Sequence, residues 1–333
     1  MPSLTEGLPK AELHVHLFGA IPVPTVLELA RRHDVRLPAG TAAGLREAFR
    51  FRDFAHFQEH MDLVRSLLRA PSDLEEATWA FCTELARQGV RYAEVMLGPS
   101  HLERAGMPYE AYAAALRSAR ARALAQLGLD VRWIFDIMRS LPEASERRYW
   151  ADYTLEVATA SHEQDDGCVA LGLSGSEAEF PPEEFAPWFE RARAAGLRSV
   201  PHAGEHAGPE NVWTALRALH ADRIPHGVRA IEDPSLVAYL AGGGVALDMC
   251  PTSNVCLGVV PDLASHPLPR LLRAGVPVTV NSDDPTLFGP SLSDEMGLLD
   301  GPLGLGPDEV REVVGNAFRY GFEADEDEPV LSP

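Results

Sequence analysis

The stretch ELHVHLFGA, residues 12–20, sets His14 and His16 two apart in an apolar run that stops at a glycine. Alternate residues of a strand share a face, so the two imidazoles project together. A lone histidine on an apolar strand is most simply a hydrogen-bonded core residue. Imidazole nitrogen is also a favoured ligand of Zn2+ and related divalent metals, and two on one face supply half of a tetrahedral shell. Further along come His202 and Glu205 in HAGE, His226 in RIPHG, and the adjacent carboxylates Asp283 and Asp284 in VNSDDP. Each taken singly also reads as a cap or turn residue, the aspartates before Pro285 especially. Taken together, they are the side chains that bind divalent metals and move protons.

These residues share a place in the predicted architecture. Short β-branched or apolar runs at 11–17, 91–98, 131–138, 168–175, 198–205, 223–227, 244–250 and 276–284 read as eight strands. Between them, VPTVLELARRH, DLEEATWAFCTELARQG and YEAYAAALRSARARALAQLG space apolar residues at three and four, as helices do. Several such stretches open at Pro or an acidic residue and close at Gly. Strands alternating with helices predict an α/β fold, a (β/α)8 TIM barrel in one domain over residues 1–323. An open dinucleotide-binding sheet would need a G-x-G-x-x-G turn, which the sequence lacks. The candidate residues fall at C-terminal strand ends, where barrel active sites are assembled. Residues 35–71, containing FRFRDFAHFQEH, interrupt the rhythm after the first strand and predict a helical lid insertion, with an extra packing layer as the plainer alternative. The acidic tail at 324–333 has little to bury and is expected to be mobile.

Composition narrows the partners. A net charge of −20 repels phosphate backbones and anionic membrane surfaces, so a small-molecule ligand is expected and a nucleic-acid polymer is not. No window approaches the ~20 apolar residues of a membrane span, and MPSLTEGLPK has no signal-peptide core. With only Cys82, Cys168, Cys250 and Cys256, widely spaced, a cytoplasmic chain with reduced thiols is expected. A homo-oligomer stays open. Lys10 is the only lysine, which removes Schiff-base chemistry from a barrel strand. Cytidine-deaminase-type zinc sites need P-C-x-x-C, whereas Cys250 and Cys256 are six apart.

PKAELHVHL, HAGE, RIPHG, CPTSN and VNSDDP, in this order between about Pro9 and Asp294, resemble adenosine deaminase and its relatives in the amidohydrolase superfamily. The resemblance implies a Zn2+ ion held by His14, His16, His202 and Asp283. It implies Glu205 as the acid that protonates purine N1, and His226 as the group that orients and deprotonates the metal-bound water. Asp284 would contact N7 and the attacking hydroxide, and the backbone amide of Gly175, in LSGSE, would meet N3. Two-metal relatives bridge their ions with a carbamylated lysine, which Lys10, ahead of the first strand, cannot supply. The chemistry agrees independently. A bound divalent cation lowers the pKa of its water to roughly 7, and a glutamic acid can protonate the ring if burial and nearby carboxylates raise its pKa. Asp283 and Asp284 are expected to be those neighbours.

The implied reaction converts the 6-amino group of an adenine nucleoside to a 6-oxo group with release of ammonia. Deamination of free adenine is the alternative within this chemistry, and a non-catalytic purine-binding barrel is the alternative outside it. Phe18 bears on the choice between substrates, with packing against the lid while a 5′-hydroxyl faces water as the plainer alternative. Adenosine deaminases carry an aspartate just before the glycine that binds the ribose 5′-hydroxyl, and adenine-specific relatives often carry glutamate. Phe18 accepts no hydrogen bond, so a hydroxyl buried against it costs about 1–3 kcal/mol. FRDFAHF and SVPHAGE resemble the branch acting on 6-aminodeoxyfutalosine, whose 5′ side carries a benzoate-bearing chain. Phe18 would stack on such a substituent, with Arg52, Arg65 or Arg139 as candidates to pair its carboxylate.

Overall fold

Residues 4–51 and 54–322 are described in a computed structural model, so Arg52 and the acidic tail at 324–333 lie outside the described residues. The eight expected strands form: β1 Lys10–His16, β2 Val90–Leu97, β3 Asp130–Met138, β4 Cys168–Ser174, β5 Arg198–Pro201, β6 Arg223–Pro225, β7 Ala246–Met249 and β8 Val278–Val280. All pair in parallel, β1 to β5 as one sheet and β6 to β8 as another. Single bridges close both seams, Ala203 with His226 and Val15 with Asp283. At the second seam the His16 N–H donates to the Asp283 carbonyl at 2.9 Å and the Asp283 N–H to that of His14 at 3.1 Å. The expected barrel is therefore present, curled most continuously through its first five strands.

The period of two in β1 sorts its side chains. Ala11 and Leu13 pack outward with Tyr92 and Ala317 of the helix Pro307–Arg319. Glu12, His14 and His16 turn inward, where the Glu12 carboxylate accepts from the backbone N–H and the hydroxyl of Ser282 at 3.1 and 2.8 Å. That tie fixes the turn carrying Asp283 and Asp284 against the strand carrying the histidines. Lower in the barrel, the fully buried Arg223 is held by the carboxylates of Glu94 and Asp248, a floor of paired charge beneath the site. Removing one partner of such a triad leaves an uncompensated buried charge.

Among the described residues four α-helices lie between β1 and β2, of which Ala42–Ala48 and Phe54–Arg65 fall within the expected insertion, and Phe54–Arg65 reaches over the C-terminal rim. His226 and Asp283 both adopt left-handed backbone, at φ 63° and 61°. Such conformations cost a non-glycine residue about 1–3 kcal/mol and persist where the surroundings enforce them. Here the seam hydrogen bonds do so. The four cysteines are free thiols. Among the described residues, no helix is long and apolar enough to cross a membrane.

Candidate active site

His14 and His16 end β1, His202 follows β5, His226 follows β6, and Asp283 stands just beyond β8. The barrel brings them together. His16 Nε2 lies 3.2 Å from His202 Nε2, and Asp283 Oδ1 lies 3.5 Å from His14 Nε2 and 3.6 Å from His16 Nε2. Donors about 2.0–2.1 Å from a tetrahedral Zn2+ would stand about 3.3 Å apart, so these separations fit one cation. His14 Nδ1 faces the Asp248 carbonyl at 3.3 Å, while its Nε2 is buried with no hydrogen-bond partner. An orphaned imidazole nitrogen aimed at two other nitrogens and a carboxylate oxygen is a donor set that could hold a divalent cation. Burial and mutual repulsion push the pKa values of His14 and His202 well below the ordinary histidine value, keeping them neutral as ligands must be.

Supporting contacts aim these donors. Ser253, in the CPTSN segment, donates to Asp283 Oδ2 at 2.6 Å and leaves Oδ1 toward the histidines. Arg139 is fully buried and donates to the carbonyls of Leu173 at 3.1 Å and His202 at 2.6 Å. Its Nη2 fastens the end of β5 from behind, its Nε is buried with no hydrogen-bond partner, and the residue is not among those that line the cleft above the histidines. Asp136 Oδ2 lies 3.6 Å from His16 Nδ1, a carboxylate–histidine pairing of the kind that orients ligands. A Cβ at Gly172 would stand 1.9 Å from Asp136 Oδ1, so β4 makes room there with glycine.

Glu205 lies on the loop after His202, its Oε1 3.6 Å from His226 Nε2 and its Oε2 2.9 Å from His206 Nδ1. That loop is pinned by Glu177, whose carboxylate accepts from the backbone N–H groups of Gly204, Glu205, His206 and Ala207 at 2.5–3.1 Å. The expected electrostatics of Glu205 are reversed. Burial would raise its pKa, but the facing imidazoles of His226 and His206 outweigh burial and hold it down at about 2. It rests as a carboxylate at neutral pH, not as the acid expected from nearby aspartates.

The ring of His226 is oriented by a chain of side chains behind it. The Leu268 N–H donates to His266 Nδ1 at 3.2 Å, which leaves the proton of that ring on Nε2, 3.1 Å from Asn254 Oδ1. The Asn254 amide then presents Nδ2 to His226 Nδ1 at 3.3 Å. With Nδ1 so occupied, His226 directs its Nε2 toward Glu205 at 3.6 Å and Asp283 Oδ2 at 4.0 Å.

Asp284 is buried beside Asp283, with Oδ1 unpartnered, and burial plus that neighbour push its pKa well above the ordinary carboxylate value. Gly19 explains the glycine after Phe18: a Cβ there would stand 1.7 Å from Asp284 Oδ1. We expect Gly19→Ala to displace Asp284 and lower kcat by about 10²-fold while metal content holds, since misplacement of about 1 Å costs that much. Metal analysis beside steady-state kinetics checks it; an unchanged kcat counts against Asp284 as a reacting group.

The space above the metal donors is a cleft of about 500 Å³, including its open mouth, whose walls include Gly175, Glu205, Asp284 and, from the lid helix, Phe54, Phe57, Met61 and Arg65. Gly175 is thus where a ligand ring can meet it. Phe18 is not: it is buried, 3% exposed, beneath the Arg65 guanidinium, whose carbon lies 5.7 Å from the ring centroid. Phe18 thus packs against the insertion, and the half-buried Arg65 that covers it lines the cleft instead. Arg65 donates through Nη1 to Asp62 at 2.9 Å, and its Nε is buried with no hydrogen-bond partner.

Comparisons with known proteins converge on the same reading. A family model described as adenosine deaminase matches residues 9–332. The chain is 45% identical to an aminodeoxyfutalosine deaminase of Streptomyces avermitilis over 96% of this chain and 88% of that one. An adenine deaminase structure from Arthrobacter aurescens superposes with a TM-score of 0.87 at 33% identity, covering 95% of this chain and 94% of that one. An amidohydrolase structure from Burkholderia ambifaria with bound Zn superposes with a TM-score of 0.86 at 29% identity, covering 97% and 88%.

Proposed function

We propose that this chain, which belongs to the adenosine deaminase family and is a hydrolase acting on carbon–nitrogen bonds, deaminates a 5′-substituted adenine nucleoside such as 6-aminodeoxyfutalosine, using Zn2+ held by His14, His16, His202 and Asp283. A bound Zn2+ supplies the Lewis acidity that brings the pKa of water to about 7. The protein does the rest. Glu205 moves a proton to the ring nitrogen, His226 donates toward the oxygen added at C6, Asp284 faces the same region, and Gly175 lines the wall that meets the far side of the purine. The helix Phe54–Arg65 forms an apolar wall of the cleft, which lowers the polarity around the reacting groups and strengthens these interactions.

One observation carries the choice of substrate. Beyond the metal donors the cleft is walled by Phe54, Phe57, Met61 and Leu257, with the guanidinium of Arg65 the only one among the described lining residues. Free adenine has nothing to place there. A nucleoside with an aromatic, carboxylate-bearing 5′ extension fills the apolar wall and brings Arg65 an acceptor, and the 45% identity to an aminodeoxyfutalosine deaminase supports the same substrate. Deamination of free adenine remains the second reading, favoured by the likeness to the Arthrobacter aurescens adenine deaminase. Comparing kcat/KM over adenine, adenosine, 5′-methylthioadenosine and aminodeoxyfutalosine separates them, and a preference for adenine overturns the proposal. In Arg65→Met we expect kcat/KM for aminodeoxyfutalosine to fall about tenfold or more relative to 5′-methylthioadenosine, as losing a charged hydrogen bond of ~1.5–3 kcal/mol requires. Equal losses on both substrates rule Arg65 out as the carboxylate partner.

A further inference from the structure

Glu205 poses a problem that the family resemblance does not solve. To activate the purine it must deliver a proton, yet the imidazoles around it hold it ionised. The residue beside it answers this. His206 Nδ1 lies 2.9 Å from Glu205 Oε2, and the side chain is only 26% exposed. The other ring nitrogen, Nε2, is buried without a hydrogen-bond partner, and the Phe54 ring of the lid helix lies 5.1 Å from the imidazole. Among the described residues, a proton on Nδ1 therefore has Glu205 as its single acceptor. The backbone of both residues is clamped to Glu177, and Arg229 Nη1 donates to the His206 carbonyl at 3.3 Å, so the pair is held in register.

We propose that His206 is a positioning residue for Glu205 that stores the proton delivered to the purine ring, the pair sharing it between Nδ1 and Oε2. The inference rests on the deaminase reading above. In the step, the His206 Nδ1–H bond breaks as the Glu205 Oε2–H bond forms, and that bond breaks in turn as the ring N–H forms. The attacking water provides one proton to the departing amine, completing ammonia. Its other proton, left on the hydroxyl at C6, returns to Glu205 and His206 as the carbonyl forms. The pair ends as it began.

The charges around the ring suit the store. Burial opposes a proton on His206, but the Glu205 hydrogen bond and charge, then Glu177 and Asp283, prevail and raise its pKa above the ordinary value, while the guanidinium of Arg229 addresses the backbone carbonyl of His206. Phe54 adds no competing acceptor. The proton is thus kept at neutral pH and lost only as pH rises through that raised value.

The test uses the metal-loaded full chain in two arms. In His206→Asn the amide keeps a donor near Nδ1 but holds no exchangeable charge, so kcat at pH 7 should fall about tenfold or more, with the alkaline limb moved acidward by about one pH unit. Activity relative to wild type should recover in acid. Histidine-selective NMR titration should show His206 above about 6.5 in wild type and lower in Glu205→Gln. Both readouts must move. A uniform loss with an unmoved pH profile, an unchanged kcat, or a His206 titration indifferent to Glu205→Gln overturns the proposal. If His206→Asn fails to fold, His206→Gln takes its place in the rate arm. A wild type that deaminates nothing on the adenine panel fails the functional reading first and takes this inference with it.

Discussion

Glu205→Gln loses turnover by about 10²–10⁴-fold, the range that positioned proton transfer contributes, while the metal stays bound. The substitution is isosteric, so the carbonyl oxygen of the new amide still accepts from His206 Nδ1, and the loop stays fastened to Glu177 through its own backbone N–H groups. None of the metal donors is touched, because Glu205 stands off the cluster beside His226. What disappears is the one oxygen that can receive a proton from His206 and give it to a ring nitrogen. Pre-steady-state turnover together with metal content per chain measures the effect. A rate within a few-fold of wild type would remove Glu205 from the reaction and leave the cluster as a binding site only.

The strand ends were legible because their chemistry is local. Inward alternation in β1 places His14 and His16 together whatever the rest of the chain does, and HAGE, RIPHG and VNSDDP each lie at the end of a short apolar run. Runs that contain proline or turn residues were read too long. RSVPHAGE yields only the strand Arg198–Pro201 and the single bridge at Ala203, because from Gly204 the backbone turns to offer its N–H groups to Glu177 rather than to a neighbouring strand. What was not legible depends on contacts between distant elements. Glu177 sits in LSGSE beside the glycine that was singled out, yet nothing local says that its carboxylate will collect four N–H groups from the next loop. Asn254 and His266 orient the ring of His226 from a segment whose motif carried no roles of its own. The reversed electrostatics of Glu205 has the same origin: which charges face its carboxylate is decided by the fold, and those that outweigh its burial are the imidazoles of His226 and His206. The depth of Phe18 is of the same kind: of its two readings, stacking on a ligand or packing the insertion, the fold places the ring buried beneath Arg65, which comes from the insertion.

Asp283→Ala should cost more in metal affinity than any substitution in the supporting shell. Partners that merely orient a ligand typically account for about 10–100-fold, and Ser253→Ala, which frees Asp283 Oδ2, is expected in that range. Removing the carboxylate takes away a donor and the only negative charge in the set of His14, His16, His202 and Asp283, so a loss beyond about 10²-fold is expected, with turnover falling in parallel. Backbone adds a second effect. Asp283 holds a left-handed φ of 61°, which alanine tolerates poorly and asparagine well, so Asp283→Ala loosens the seam with His14 and His16 as well. Asp283→Asn separates the two, keeping the conformation and an oxygen near Ser253 while removing the charge. The expected order of metal retention during dialysis against a chelator is wild type, Ser253→Ala, Asp283→Asn, Asp283→Ala. An Asp283→Ala protein that keeps its metal as tightly as wild type would mean that the histidines suffice, and that Asp283 closes the barrel without serving the cation.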